Sequence, residues 1–291
     1  SMARPLLAPP ALSDAPLEPG LYLVATPIGN LRDVTLRALD VLAAADLVLA
    51  EDTRVTAKLL SAYGLSKKLE RHDEHASERA TPRIVEALKA GATVALVSDA
   101  GTPLVSDPGF HLAREAIAAG VRVYPIPGAS APLAALTVAG LPSDRFMFVG
   151  FPPPKSAARR TFFQDLAPIR TTLIFFEGGS RLAASLADMA AVFGDRPACV
   201  CRELTKLYET VTRGSLIALA ANPAFAEPRG ELVVLVGPRA AVASSPEDAD
   251  RALSEALTRL GPGEAASEVA KALGLPRRDL YRRALDLQGK A

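Results

Sequence analysis

The chain has 291 residues, with 33 lysines and arginines against 32 aspartates and glutamates. This near balance excludes a polycation that binds nucleic acid by bulk charge alone, although it leaves room for a local basic patch. Because 49% of the residues are hydrophobic and 22% are charged, the chain can bury a sizeable core, while the 5% aromatic content disfavours a base-stacking single-strand binder.

The first half of the chain alternates short apolar runs with Ala- and Leu-rich segments at helical spacing. Residues 1–18 are rich in proline and alanine, and we expect them to be loose. The predicted strands are residues 21–25, 47–50, 93–97 and 121–126, and the predicted helices are residues 31–45, 52–63, 81–89 and 108–119. Thr81 is the predicted N-cap of the third helix, with Pro82 at its first position. The order predicts a mostly parallel sheet with helices on both faces.

Turn-rich loops follow each strand of this half, at residues 26–30, 51–54, 98–107 and 127–130. In a parallel sheet these loops share the carboxyl edge, where ligands bind. Glycines in such loops let backbone amides approach a ligand, and a carboxylate can bind ribose hydroxyls or a positive centre. The first strand is not followed by Gly-x-Gly-x-x-Gly or a Walker lysine motif, which disfavours nicotinamide Rossmann and P-loop proteins.

The pattern changes after about residue 140, where strands follow one another more closely. Strands are predicted at residues 146–151, 171–176, 198–204, 208–214 and 231–236, and helices at residues 156–166, 180–193 and 215–221. This succession predicts a mixed or antiparallel sheet in a second α+β domain. Residues 240–246 read as a linker, and residues 247–287 as helices interrupted at 261–263 and 274–276. We therefore expect domains at residues 19–130, 131–240 and 247–291.

Few residues that could bind a metal ion or act as a nucleophile occur at the spacings typical of such sites. The segment at residues 72–75 contains His72 and His75, but spacing identifies no third ligand, so we expect no metal site. No Gly-x-Ser-x-Gly elbow is present. Cys199 and Cys201 lie two apart on a predicted strand and are expected to be small buried residues, as in a cytoplasmic protein.

Local charge is more informative than the total charge. One basic cluster contains Lys155, Arg159 and Arg160, and a second lies in the helical tail at Arg277, Arg278, Arg282 and Arg283. Such clusters are often solvated faces. Two of them in a neutral protein also fit contacts with nucleic-acid phosphates, and the tail has helix-turn-helix spacing.

Several longer motifs occur in series between residues 21 and 236. They are LVATPIGNLRD at 23–33, EDTR at 51–54, SDAGTPLVSDPG at 98–109, PGAS at 127–130, FVGF at 148–151, the arginine pair at 159–160, Phe176-Glu177 with Arg181, and RELTK at 202–206. In this order and spacing the chain resembles the ribosomal RNA small subunit methyltransferase I family, and residues 265–285 resemble that family's terminal helical domain.

The resemblance implies the tetrapyrrole methylase fold of class III methyltransferases, in which two α/β domains form a cleft for S-adenosylmethionine, usually in a homodimer. It implies 2'-O-methylation of a decoding-region cytidine in 16S rRNA. The donor-binding residues it implies are Pro27, Asp99, Ala100, Gly101, Thr102, Pro127, Gly128 and Ser130, with the second domain closing the pocket near Phe176-Glu177 and Glu231. Arg181 and Arg202 join the basic clusters as expected RNA contacts.

Motif position makes Lys206, Glu177, His75 and Asp107 candidates for catalysis at the acceptor. The alternative for Lys206 and Glu177 is a Lys-Glu or Arg-Glu ion pair across the cleft. This chain has Gly178-Gly179-Ser180-Arg181 where the family commonly has Ser-Pro-His-Arg, which counts against an essential role for that histidine. Two other functions compete: methylation of a tetrapyrrole or other small acceptor, and donor and RNA binding without catalysis.

Overall fold

The computed structural model describes residues 11–106, 109–239 and 245–289. Asp107, Pro108, residues 1–10 and residues 240–244 of the predicted linker lie outside this part, so the predictions made for them are not addressed. Within the described residues, no helix is long and apolar enough to cross a membrane.

The first sheet is entirely parallel, which confirms the predicted arrangement. Its spatial order is β3-β2-β4-β1-β5, formed by β1 (Gly20–Val24), β2 (Leu47–Ala50), β3 (Leu69–Arg71), β4 (Thr93–Val97) and β5 (Val123–Ile126). Strand β3 was not predicted, because it is a three-residue edge strand without a continuous apolar run.

Four helices accompany this sheet: α1 (Leu36–Ala44), α2 (Thr53–Ala62), α3 (Glu74–Lys89) and α4 (Phe110–Ala118). The prediction that α3 begins at Thr81 is wrong. Asp73 caps the helix by accepting a hydrogen bond from the Ala76 amide at 2.8 Å, and Pro82 lies inside it. Thr81 is buried, and its hydroxyl donates a hydrogen bond to the Ser77 carbonyl. It therefore lies in the middle of the helix and does not cap its start.

The second sheet is mixed, as predicted. Its order is β6-β7-β10-β8-β9, formed by β6 (Phe146–Gly150), β7 (Thr172–Gly178), β8 (Pro197–Arg202), β9 (Thr210–Ser215) and β10 (Glu231–Val236). Only the β6–β7 pair is parallel among its four pairings. Cys199 and Cys201 on β8 are both fully buried and free, which confirms the prediction that they are core residues.

Helices cover both faces of the second sheet. One face packs against α6 (Ser156–Leu166), α7 (Gly179–Phe193) and α8 (Leu216–Ala220), and the other against α5 (Ala131–Ala139). Helix α5 was not predicted, because its residues are almost all apolar and therefore carry no helical period.

The tail forms a small cluster of three helices, α9 (Pro246–Leu257), α10 (Pro262–Leu273) and α11 (Arg277–Gln288). They share a core that includes Leu253, Val269 and Leu280. The predicted breaks are confirmed, since Gly261 precedes α10 and Gly274 ends it in the left-handed conformation.

A buried ion pair joins α6 to α7. Arg159 and Asp188 are 3% and 4% exposed, and the Arg159 Nη2 lies 2.8 Å from the Asp188 Oδ2. Arg160 Nε and Ser156 Oγ also donate to this carboxylate, at 2.7 and 2.9 Å. Although burial opposes ionisation, the hydrogen bonds from Arg160, Ser156 and Arg159 hold the pKa of Asp188 below its ordinary value. The Asp188 carboxylate therefore stays charged and holds the two helices together.

We predict that Asp188→Asn destabilises the fold, because it leaves the Arg159 guanidinium buried without a counter-charge. Breaking one side of such a pair costs about 3–5 kcal/mol in the free energy of unfolding, which urea denaturation measures. The matched control is Asp165→Asn at an exposed position of α6, expected to change stability by less than about 0.5 kcal/mol. Equal stability of the two variants would contradict the role given to the pair.

Candidate active site

A cavity of about 470 Å³ lies between the carboxyl edge of the first sheet and the second sheet. This volume is in the range of small-molecule sites. The first-sheet side of the wall consists of Ile28, Glu51, Asp99, Ala100, Gly101, Thr102, Val105 and Ser106. The other side consists of Ser130, Ala131 and Pro132, then Phe151, Phe176, Glu177, Gly178, Cys201 and Leu204, and finally residues 230–233.

Backbone hydrogen bonds fix the edge loops to one another. The Thr26 amide donates to the Gly101 carbonyl at 2.9 Å, and the Gly101 amide donates back to the Thr26 carbonyl at 3.0 Å. Gly101 has a φ of 80°, a conformation that favours glycine. The Thr102 hydroxyl donates to the Ala129 carbonyl at 3.0 Å. The loops after β1, β4 and β5 therefore form one connected wall.

Asp99 ties this wall to the loop after β2. Its Oδ1 accepts a hydrogen bond from the Asp52 amide at 2.9 Å. Asp52 in turn caps α2, and hydrogen bonds from Arg54 lower the pKa of Asp52 to about 2. The Asp99 carboxylate thus stands at the cavity wall in a fixed position, where it can bind ribose hydroxyls or a positive centre.

The structure places the residues implied for donor binding in two groups. Those that line the cavity are Asp99, Ala100, Gly101, Thr102 and Ser130. Pro27, Pro127 and Gly128 belong to the same edge loops but are not among the lining residues. A Cβ on Gly128 would lie 2.9 Å from the Ala25 Cβ, so this glycine allows two loops to approach closely.

Glu177 lines the cavity, but its carboxylate is already engaged. The Gly178 amide donates to its Oε1 at 2.8 Å, the Ser185 hydroxyl donates to its Oε2, and Arg181 Nε lies 3.3 Å from Oε1. The side chain is 1% exposed. Glu177 therefore pairs with an arginine four residues along the chain, not across the cleft, and it anchors the start of α7 at the cavity wall.

Lys206 lies in the turn between β8 and β9, beside the cavity. Its Nζ donates to the Glu203 Oε1 at 3.1 Å and to the Glu231 Oε2 at 2.9 Å, and Glu231 lines the cavity. Although burial opposes it, the hydrogen bonds to Glu231 and Glu203 raise the pKa of Lys206. Both hydrogen bonds therefore favour the ammonium form of Lys206 beside the cavity.

His75 is not brought to the cavity. It is exposed in the first turn of α3 and is not among the lining residues.

The residues expected to contact RNA differ in their exposure. The expectation for Arg159 is corrected, because its guanidinium is buried against Asp188 and the Pro154 carbonyl and does not face solvent. Arg283 is exposed but pairs with Asp250 and so links α11 to α9. Arg202 is partly buried and donates to the Arg229 carbonyl. The exposed members of the set are Lys155, Arg160, Arg277, Arg278 and Arg282, whereas Arg181 is half-buried and pairs with Glu177.

Sequence reasoning assigned no role to three apolar lining residues, Ile28, Phe151 and Leu204. Phe151 is 55% exposed, and its ring packs edge-on against Phe176 with centroids 5.5 Å apart. Their position in the sequence was the available signal: Ile28 stands in an edge loop, Phe151 directly follows β6, and Leu204 lies two residues after β8.

Comparison with known proteins identifies the family to which this chain is similar. The model of the Tetrapyrrole (Corrin/Porphyrin) Methylases matches residues 20–220, and that of the RsmI C-terminal HTH domain matches residues 243–288. The solved structure of uroporphyrin-III C-methyl transferase from Thermus thermophilus, complexed with S-adenyl homocysteine, is similar at a TM-score of 0.53 and 20% identity, over 75% of this chain and 97% of that one. At that identity the likeness shows the fold alone.

Two curated relatives, both named ribosomal RNA small subunit methyltransferase I, are much more similar. The protein from Mesorhizobium japonicum is 54% identical over 94% of each chain, and that from Erythrobacter litoralis is 52% identical over 95% of this chain and 98% of its own. With this identity along nearly its whole length, the chain belongs to the ribosomal RNA small subunit methyltransferase I family of the tetrapyrrole methylases.

Proposed function

We propose that this protein transfers the methyl group of S-adenosylmethionine to the ribose 2'-hydroxyl of a decoding-region cytidine in 16S rRNA. The observation that carries the proposal is the cavity at the carboxyl edge of the first sheet, where residues 99–102 and Ser130 meet Glu231 and its partner Lys206. The family relationship supports the choice of rRNA as the acceptor.

The cavity wall fits S-adenosylmethionine, which combines an adenosine, a positive sulfonium and a charged amino acid. The Asp99 carboxylate and the hydroxyls of Thr102 and Ser130 offer polar partners, while Ile28 and Val233 offer apolar surface. Such a mixture of apolar lining and a few placed polar groups is typical of cofactor sites. We propose Asp99, Ala100, Gly101, Thr102 and Ser130 as donor-binding residues, with Pro27, Pro127 and Gly128 shaping the loops behind them.

Bound there, S-adenosylmethionine supplies an electrophilic methyl group with its own leaving group, so the protein need not form a covalent intermediate. The chain's contribution is then alignment of donor and acceptor, which can lower the barrier by as much as about 7–11 kcal/mol. Lys206 contributes a fixed positive charge beside the cavity, suited to lowering the pKa of the acceptor 2'-hydroxyl. The hydroxyl proton then passes to solvent as the oxygen attacks the methyl carbon and S-adenosylhomocysteine leaves.

The acceptor is far larger than the cavity, so it requires contacts elsewhere. We propose that exposed basic residues bind rRNA phosphates, namely Lys155, Arg160, Arg277, Arg278 and Arg282, together with the half-buried Arg181. Arg159, Arg202 and Arg283 support this surface through their contacts within the protein. A cytoplasmic homodimer is part of the same proposal.

We predict methyl transfer from labelled S-adenosylmethionine to small ribosomal subunits or to naked 16S rRNA. One assay distinguishes the three candidate functions, provided that tetrapyrrole precursors are tested in parallel as acceptors. Label in the ribose of a cytidine supports the proposal. Label in the tetrapyrrole alone would support a small-molecule methyltransferase, and donor binding without incorporation into any acceptor would support a non-catalytic protein.

We predict that Arg278→Ala weakens rRNA binding and makes it less sensitive to salt, because one phosphate contact is lost. The logarithm of the binding constant falls with the logarithm of salt concentration, and the magnitude of this slope should decrease by about 1. The matched control is Lys89→Ala at the end of α3, on the opposite edge of the first sheet from the cavity. An unchanged slope for Arg278→Ala would remove this residue from the interface.

A further inference from the structure

The turn that carries Lys206 has an unusual backbone. Glu203 and Thr205 have φ values of 52° and 69°, in the left-handed region that non-glycine residues rarely occupy. Such a conformation is strained and persists only where surrounding contacts hold it. The contacts that hold Glu203 therefore indicate which side chain this turn positions.

Two hydrogen bonds fix the Glu203 carboxylate, and a third fixes its backbone. Its Oε1 accepts hydrogen bonds from the Glu231 amide at 2.9 Å and from the Lys206 Nζ at 3.1 Å. The Glu203 amide donates to the Glu231 carbonyl at 3.0 Å. Gly230 leaves space for the carboxylate, because a Cβ at this position would lie 2.3 Å from the Glu203 Oε1. The carboxylate is thus enclosed by β10 on one side and by Lys206 on the other.

Lys206 is also held along its stem. A Cβ on Gly29 would lie 2.5 Å from the Lys206 Cγ, so the absence of a side chain at Gly29 lets the lysine pass over the loop after β1. The Thr205 hydroxyl oxygen accepts a hydrogen bond from the Asn30 amide at 3.1 Å, which fastens the turn to that same loop. The turn therefore spans the two sides of the cavity, and the ammonium has little freedom to move.

The two carboxylates that pair with the ammonium are not equivalent. The Glu203 side chain is 19% exposed and makes the backbone contacts described above, whereas the Glu231 side chain is 74% exposed at the cavity. An enclosed and anchored partner defines a position better than an exposed one, which can exchange its contact for solvent or substrate.

We propose that Glu203 is a positioning residue, which fixes the Lys206 ammonium beside the acceptor 2'-hydroxyl, where its charge favours loss of the hydroxyl proton to solvent. This inference rests on the proposed function. Glu203 does not touch the substrate and acts only through Lys206. Its loss should therefore lower turnover without weakening the binding of donor or rRNA.

The test compares Glu203→Gln with the unsubstituted protein in steady-state methyl transfer to rRNA. Glutamine keeps an oxygen for the Glu231 amide but removes the charge that holds Lys206. We expect kcat to fall by roughly 10- to 100-fold, as for the loss of one charge-assisted hydrogen bond, with KM for S-adenosylmethionine and for rRNA nearly unchanged. The matched control is Glu227→Gln at an exposed glutamate before β10, expected to keep full turnover.

A double-mutant cycle shows whether Glu203 acts through Lys206. In the Lys206→Ala background, Glu203→Gln should cause no further loss of kcat, because the group it positions is already absent. Independent, additive losses would overturn the proposal, as would a kcat for Glu203→Gln within about twofold of the control.

A second variant keeps the proposal testable if Glu203→Gln folds poorly in thermal unfolding. Asparagine tolerates the left-handed conformation that residue 203 adopts, with a φ of 52°, and it carries no charge. Glu203→Asn should therefore lower kcat and be non-additive with Lys206→Ala in the same way. Normal turnover of a folded Glu203→Asn variant would overturn the proposal. Failure of the unsubstituted protein to methylate any rRNA would instead contradict the proposed function, so the two failures are distinguishable.

Discussion

The loop at residues 26–30 is held from two directions, and the cavity depends on this. On one side, Thr26 exchanges backbone hydrogen bonds with Gly101 in the loop after β4. On the other, the Asn30 amide donates to the Thr205 hydroxyl in the turn of the second sheet. A single short loop therefore fixes the position of the first-sheet cavity wall relative to Lys206. In the proposed function this connection would help to align donor and acceptor, which can supply a large part of a rate enhancement.

The placement of charge explains how a protein with a formal net charge of +1 can serve a polyanionic substrate. Some of its basic residues are used inside the structure: Arg159 neutralises Asp188, and Arg283 joins α11 to α9. Others, such as Lys155 and Arg278, have exposed side chains. Bulk charge is thereby kept low while positive groups remain where phosphates can reach them, which favours a structured site over indiscriminate binding.

Much of the fold could be predicted from the sequence, because its signals are local. Continuous apolar runs predicted the strands of the parallel sheet, and glycines and prolines predicted the breaks in the tail. Helix α5 shows no helical alternation of apolar and polar residues because it is nearly uniformly apolar, and β3 is too short to show a strand pattern. The start of α3 was missed because Pro82 is typical of a first turn, whereas the Asp73 cap lies eight residues before Thr81.

The candidate site was predictable at the level of loops but not of side-chain roles. The edge loops that contain Asp99 and Ser130 follow from the strand order alone. Whether a charged residue is free or engaged depends on partners that only the three-dimensional fold identifies. Glu177 is saturated by Ser185 and Arg181, and Arg159 is buried against Asp188, 29 residues away. The left-handed turn that positions Lys206 likewise depends on Glu231 and on the space at Gly230, which no local pattern encodes.

The most direct test of the account is a crystal structure of the protein with S-adenosylhomocysteine. The account predicts that this product lies in the cavity between the two sheets, in contact with residues 99–102 and Ser130, with the Lys206 ammonium beside the cavity. Binding at another surface, or in the cavity without contact to the loop after β4, would contradict it.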